Sequence, residues 1–140
     1  MNDIVVPTPP RKYKVWDDRK EFYFDRDAAY NAVRFFESEI VHVKDSHGSK
    51  AGEPLRLERW QYRFIRRLYG WKRRDNKTRR YRTAFVFVPR KNGKSFLGAG
   101  IALYGLVADG EMGAECVSAA VDREQARVIF DVAKQIVQLN

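Results

Sequence analysis

The chain has few of the residues that would cross-link it, bind a structural metal or anchor it in a bilayer. Its single cysteine, Cys116, excludes an internal disulfide and any multi-cysteine zinc site, and falls where a small core residue is expected. Its two histidines, His42 and His47, have no cysteine or carboxylate cluster at ligand spacing, and neither is given a role. No run approaches the roughly 20 consecutive apolar residues that span a bilayer, so no membrane partner is expected. Residues 1–10 lack a basic start followed by an apolar block, so no secretory signal is read and the cell interior is the expected compartment. Acids are scarce in one stretch above all. Between Arg63 and Arg82, ten basic residues face Asp75 alone. That stripe carries the chain's whole formal excess of +9, as expected of a surface that meets a polyanion.

What is present suits one domain. A chain of 140 residues can remove roughly two-thirds of its unfolded surface from water, and 44% hydrophobic residues exclude global disorder. Residues 1–24 read as an extended lead-in, marked by Pro7, Pro9 and Pro10 and ending in the aromatics Trp16, Phe22, Tyr23 and Phe24, which are expected to pack. Residues 25–43 predict a helix capped by Asp25 or Asp27, with Ala29, Tyr30, Val33, Phe36 and Ile40 on its core face. A loop over 44–54 precedes a second helix over 57–69, which Gly70 would close in a left-handed conformation. Residues 71–80 read as a basic loop.

From residue 83 the pattern changes. Residues 83–88 (TAFVFV) have the composition of a strand buried on both faces. Residues 94–108 are apolar nearly all round and predict a buried helix. Residues 114–120 predict a second strand. A last helix starts after Asp122, with Gln125 in a capping-box position and Ala126, Ile129, Phe130, Ala133, Ile136 and Val137 inward. Strand, helix, strand, helix is an α/β order, and it predicts a parallel pair with a right-handed crossover.

The segment between the first strand and its helix carries the chemistry. It reads Val88-Pro89-Arg90-Lys91-Asn92-Gly93-Lys94-Ser95. A phosphate-binding loop needs a glycine where the backbone approaches phosphate, a lysine for the β- and γ-phosphates and a serine or threonine hydroxyl for Mg²⁺. The positive end of the following helix dipole adds to this. Gly93, Lys94 and Ser95 meet these demands, whereas the first glycine of the usual pattern is replaced by Val88. A surface turn leading into a capped helix is the plainer alternative, but core elements on both sides favour the nucleotide reading. Arg90 could stabilise charge on a transferring phosphoryl group, while Lys91 fits an extension of the basic surface.

Four segments together resemble the large terminase subunit of tailed double-stranded DNA phages: Leu57-Glu58-Arg59-Trp60-Gln61, residues 79–82, FVFVPRKNGKS and SAAVDREQAR. The likeness is to the branch whose loop reads Pro-Arg-Lys-Asn-Gly-Lys-Ser, where the missing first glycine is normal. It implies a P-loop NTPase of the ASCE type, with a parallel sheet flanked by helices. Residues 25–140 would form the front part of its ATPase domain. It further implies ATP and Mg²⁺ as cofactors, held by Pro89, Arg90, Lys91, Asn92, Gly93, Lys94, Ser95 and Phe96. Lys94 and Arg90 would be the catalytic cations and Ser95 the metal ligand. Gln61 would read the adenine edge with Trp60 walling that pocket, and residues 118–125 would couple nucleotide state to DNA.

The implied partners are double-stranded DNA, the small terminase subunit, the portal protein of the procapsid and further copies in a ring. The implied location is the host-cell cytoplasm rather than the finished virion. Arg73, Arg74, Arg79 and Arg80 are candidate nucleic-acid contacts, with a neighbouring subunit as the alternative. The acidic residues that such a motor uses to hold Mg²⁺ and orient water cannot be assigned in this sequence, so these 140 residues alone are expected to bind ATP weakly without useful turnover. A helicase-like translocase and a non-catalytic basic nucleic-acid-binding or assembly module are the rival readings.

Overall fold

The computed structural model describes residues 20–45, 48–110 and 112–140. The lead-in expected over residues 1–24 falls largely outside them, as do Trp16 and His47. Six elements follow in order: β1 (Phe22–Phe24), α1 (Arg26–Ser38), α2 (Arg59–Gly70), β2 (Trp71–Arg73), α3 (Lys94–Val107) and α4 (Arg123–Leu139).

Helix α1 starts at the expected cap. Asp25 is extended, and its side chain accepts the Ala28 N–H at 2.9 Å. The helix ends earlier than expected, because the β-branched residues Ile40, Val41 and Val43 favour extended backbone. Val41 bridges Pro54, and the Leu55 N–H donates to the Ile40 carbonyl at 2.7 Å. Tyr30, expected inward, is 65% exposed. Helix α1 packs on α2 and α3 packs on α4. Phe36, Ile40, Ile65 and Ile136 are fully buried where these elements meet, each contributing about 1.5–3 kcal/mol.

Gly70 departs from its expected role. It is the last residue of α2 and has no positive φ. A side chain there would instead meet the Phe24 ring, 2.5 Å from the position a Cβ would take. That close approach lets β1 lie across the end of α2. The expected basic loop over 71–80 is likewise partly strand. Phe22 pairs with Arg73, Tyr23 with Lys72 and Phe24 with Trp71 in an antiparallel ribbon, and Arg79 bridges Lys72 from the other side. Three consecutive aromatics in β1, with Phe24 edge-on to Trp71 across the ribbon, supply the cross-strand contacts that such a short ribbon needs.

The expected parallel pair is not formed among the described residues. Residues 83–88 and 114–120 carry no ladder, and the sheet present is the antiparallel β1–β2 ribbon. Phe85 and Phe87 are 88% and 85% exposed, and Cys116 is exposed rather than in the core. A strand of this composition is buried only when neighbours flank it on both sides, and these segments have none here. Helix α3 buries Leu97, Ala99, Gly100 and Tyr104, but Leu106 and Val107 at its end are exposed. In α4, the Asp122 cap is as expected, with its side chain accepting the Gln125 N–H at 2.8 Å. Ile136 is buried, whereas Phe130 and Val137 face outward.

Candidate functional site

The loop before α3 is shaped by its own side chains. Asn92 Nδ2 donates to the carbonyls of Pro89 (3.3 Å) and Arg90 (3.4 Å), which folds the chain back on itself. Lys91 (φ 68°) and Gly93 (φ 70°) both take left-handed backbone. At residue 93 that conformation suits only glycine well, and it turns the chain into the first turn of α3. The Leu97 N–H closes that turn on the Gly93 carbonyl at 2.9 Å.

Helix N-termini leave N–H groups without intrahelical partners. In α1 and α4 an aspartate side chain accepts one of them, and α2 starts with a capping box between Glu58 and Gln61. Helix α3 has Gly93 at its cap and no side-chain acceptor. Its positive dipole end faces a loop containing Arg90, Lys91 and Lys94 and no acid. This combination attracts an anion. Lys94 is exposed, and its Nζ donates to the Val88 carbonyl at 2.8 Å, six residues back across the loop. The lysine is thus parked on main chain rather than on a carboxylate, and an anion can take it over by replacing a single neutral hydrogen bond.

Gln61 is the other member of the site. Only 6% exposed, it accepts the Glu58 N–H at 3.0 Å through Oε1. Its Nε2 lies 2.9 Å from where a Cβ on Gly93 would stand. The fold therefore brings Gln61 directly against Gly93. Trp60 is half-buried against the core, and its indole N–H donates to Glu58 Oε2 at 2.9 Å. Phe96 packs against the same core, its ring 6.0 Å from that of His42. The Glu58-x-x-Gln61 spacing of a capping box was the sequence signal that could have shown why Gln61 is inward. The Val88 carbonyl as a resting partner for Lys94 had no such signal.

The candidate nucleic-acid residues lie elsewhere. Arg79 pairs with Asp109, just past the far end of α3, at 3.2 Å. Fourteen helical residues separate that end from the loop, about 20 Å of rise. Helix α2 points the same way as α3, since Gln61 meets Gly93 at one end and Tyr69 meets Tyr104 at the other, with ring centroids 4.6 Å apart. The Tyr69 hydroxyl is buried without a hydrogen-bond partner, and burial pushes its pKa far above the ordinary tyrosine value. A cleft of about 340 Å³ beside it is lined by residues including Asp25, Lys72, Arg79 and Asp109. Among the described residues, no group of three His, Cys, Asp or Glu side chains is placed to hold a metal, and no helix is long and apolar enough to cross a membrane.

Comparison with known proteins bears directly on this loop. Residues 59–140, more than half of the chain, match the family model described as terminase large subunit, ATPase domain. The chain is also similar to the terminase large subunit of Enterobacteria phage HK97, with 38% identity over 94 residues. That match covers 66% of this chain and 18% of the relative, so the chain spans less than a fifth of that protein's length. No solved structure matches it significantly.

Proposed function

This chain belongs to the terminase large-subunit ATPase family, and on that premise we propose that it is the ATP-binding part of a motor that packages double-stranded DNA into a phage procapsid. The observation that carries the proposal is the loop itself. A left-handed Gly93 and an uncapped α3 N-terminus stand beside a lysine held only by a main-chain carbonyl. Within this reading the domain is of the P-loop class, and residues 83–88 and 114–120, which carry no ladder here, would pair within its parallel sheet.

Residues 89–96 would receive the triphosphate. Lys94 would leave the Val88 carbonyl to neutralise the β- and γ-phosphates, and Arg90 would add charge where negative charge builds up during phosphoryl transfer. Mg²⁺, held through the Ser95 hydroxyl and phosphate oxygens, would supply charge neutralisation when bound. The donor set fits this role, since a hydroxyl and phosphates are oxygen ligands suited to a hard cation. Gln61 has its Nε2 end at the loop and its Oε1 on Glu58, so it would brace Gly93 from behind as well as read a base edge beside Trp60. DNA, the small terminase subunit, the portal and sister copies are the proposed partners, in the host cytoplasm.

Isothermal titration of the chain with Mg-ATP tests the reading. Binding heat that is lost in Lys94→Ala, with the circular dichroism spectrum unchanged, is the expected result. Binding that is absent from the wild type, or indifferent to the lysine, refutes it and favours a basic assembly module.

A further inference from the structure

The cations of the basic stripe do not share one situation. Three of those around the β1–β2 ribbon are held by acids. Lys72 pairs with Asp25 at 3.1 Å, Arg79 pairs with Asp109 at 3.2 Å, and Arg73 donates to both carboxylate oxygens of Asp75 at 3.1 and 3.2 Å. The cations of α2 are placed differently. Its sequence, RWQYRFIRRLYG, holds Arg59, Arg63, Arg66 and Arg67 and no acid. All four are exposed, and among the described residues none of them forms an ion pair. The adjacent acid, Glu58, accepts the Trp60 indole N–H instead.

These four arginines form one row on the helix. Spacings of three and four residues put Arg59 beside Arg63, and Arg63 beside both Arg66 and Arg67. Helix α2 buries Gln61, Ile65 and Tyr69, and at 3.6 residues per turn the arginines lie about 120–160° round the helix from Gln61. Gln61 is the residue that meets Gly93, so the row is turned away from the loop before α3 and adds no cation to it. Within the fold the row is unfavourable. Like charges at these spacings repel, and Arg59 stands in the first turn, where the positive end of the helix dipole disfavours a cation. The Arg66 guanidinium lies 4.9 Å over the Phe24 ring, which orients it without neutralising it. A row of charge that weakens its own helix and meets no acid calls for an anion from outside the fold.

We propose that the outer face of α2 is a track for the phosphate backbone of duplex DNA, with Arg59, Arg63, Arg66 and Arg67 as its contacting cations. From Arg59 to Arg67 the row rises about 12 Å, which matches about three to four phosphates along one strand at ~3.4 Å each. Guanidinium groups suit phosphate oxygens by their forked donor geometry. A second copy of this chain is the poorer occupant, since a body of formal charge +9 repels its like. The choice of duplex DNA rests on the packaging-motor reading; the location of the track rests on the charge of α2. The inference moves the nucleic-acid surface from Arg73 and Arg79, which acids already hold, to the exposed side of the preceding helix.

Fluorescence anisotropy of a short labelled duplex, titrated with the full chain over a sodium chloride series, tests the proposal. In Arg59→Gln/Arg63→Gln/Arg67→Gln the slope of log affinity against log salt should flatten by about 2.7, at ~0.9 per lost phosphate contact. Arg63→Gln alone should flatten it by about 0.9. A control triple with equal charge loss on other exposed surface, Arg34→Gln/Lys50→Gln/Lys134→Gln, should leave the slope nearly unchanged. Urea denaturation separates the track from a structural role. Glutamine has nearly the helix propensity of arginine and removes the repulsion, so the first triple should keep or raise the wild-type midpoint. A lowered midpoint would mean that the arginines serve the fold, and overturns the proposal. So do a wild type that does not bind the duplex, equal effects of the two triples, and an unchanged slope in the first. Sedimentation showing that the first triple abolishes self-association and spares DNA binding overturns it as well. Every variant keeps the loop before α3 intact, so Mg-ATP titration of the wild type and Lys94→Ala judges the nucleotide reading separately.

Discussion

Replacing Gly93 by alanine tests the loop geometry most directly. Two costs can be read from the structure. The first is backbone: residue 93 sits at φ 70°, and an L-residue in that region costs about 1–2 kcal/mol. The second is contact. The new Cβ would stand 2.9 Å from Gln61 Nε2, so one of the two must give way by a few tenths of an ångström. Gln61 has little freedom to move, being 6% exposed and tied to the Glu58 N–H at 3.0 Å. Forcing it off its rotamer costs about 0.5–1.5 kcal/mol. Together the substitution should strain the loop by about 2–3 kcal/mol, which the protein can meet as lost stability or by changing the loop's shape.

Urea denaturation reads the first response and titration with Mg-ATP the second. Loss of binding by roughly 30-fold or more, or a stability drop of that size, is expected. Adding Gln61→Ala should relieve the contact part and leave the backbone part, giving a coupling of about 0.5–1.5 kcal/mol in a double-mutant cycle. A Gly93→Ala chain that keeps both wild-type stability and wild-type nucleotide affinity would show that neither the left-handed turn nor Gln61 shapes this loop.

Other perturbations probe the frame around the site. Gly70→Ala should destabilise by about 1–3 kcal/mol, because its Cβ would fall 2.5 Å from Phe24; an unchanged urea midpoint contradicts the close approach. Tyr69→Phe should stabilise the fold by about 1 kcal/mol and so raise the midpoint, since it removes a buried hydroxyl that has no partner; a loss of stability would reveal a partner. Asp25→Ala should cost about 1 kcal/mol at neutral pH through the lost cap. The Ala28 N–H bond, aided by Lys72 and opposed by burial, holds the Asp25 carboxyl below its usual range. Its contribution is therefore complete above the unfolded pKa of about 4 and fades as pH falls through the lower folded value. The gap between wild type and Asp25→Ala should close in acid, and a gap that widens there rejects the assignment.

Local chemistry made much of this molecule legible from its sequence alone. The caps at Asp25 and Asp122, the helix following Gly93 and the glycine–lysine–serine run all follow from groups a few residues apart, whose interactions the chain carries wherever it folds. The concentration of charge between Arg63 and Arg82 is of the same kind. Tertiary structure decided what depends on distant partners. Whether residues 83–88 form a sheet rests on which strands flank them, and their composition supplies only half of that pairing. The pairing of β1 with β2 joins residues some 50 positions apart. It brings Lys72 to Asp25 and carries Arg79 to Asp109 past the end of α3, pairs that no local pattern encodes. Gln61 meets Gly93 for the same reason: only the packed ends of two helices bring an amide and a left-handed glycine within contact.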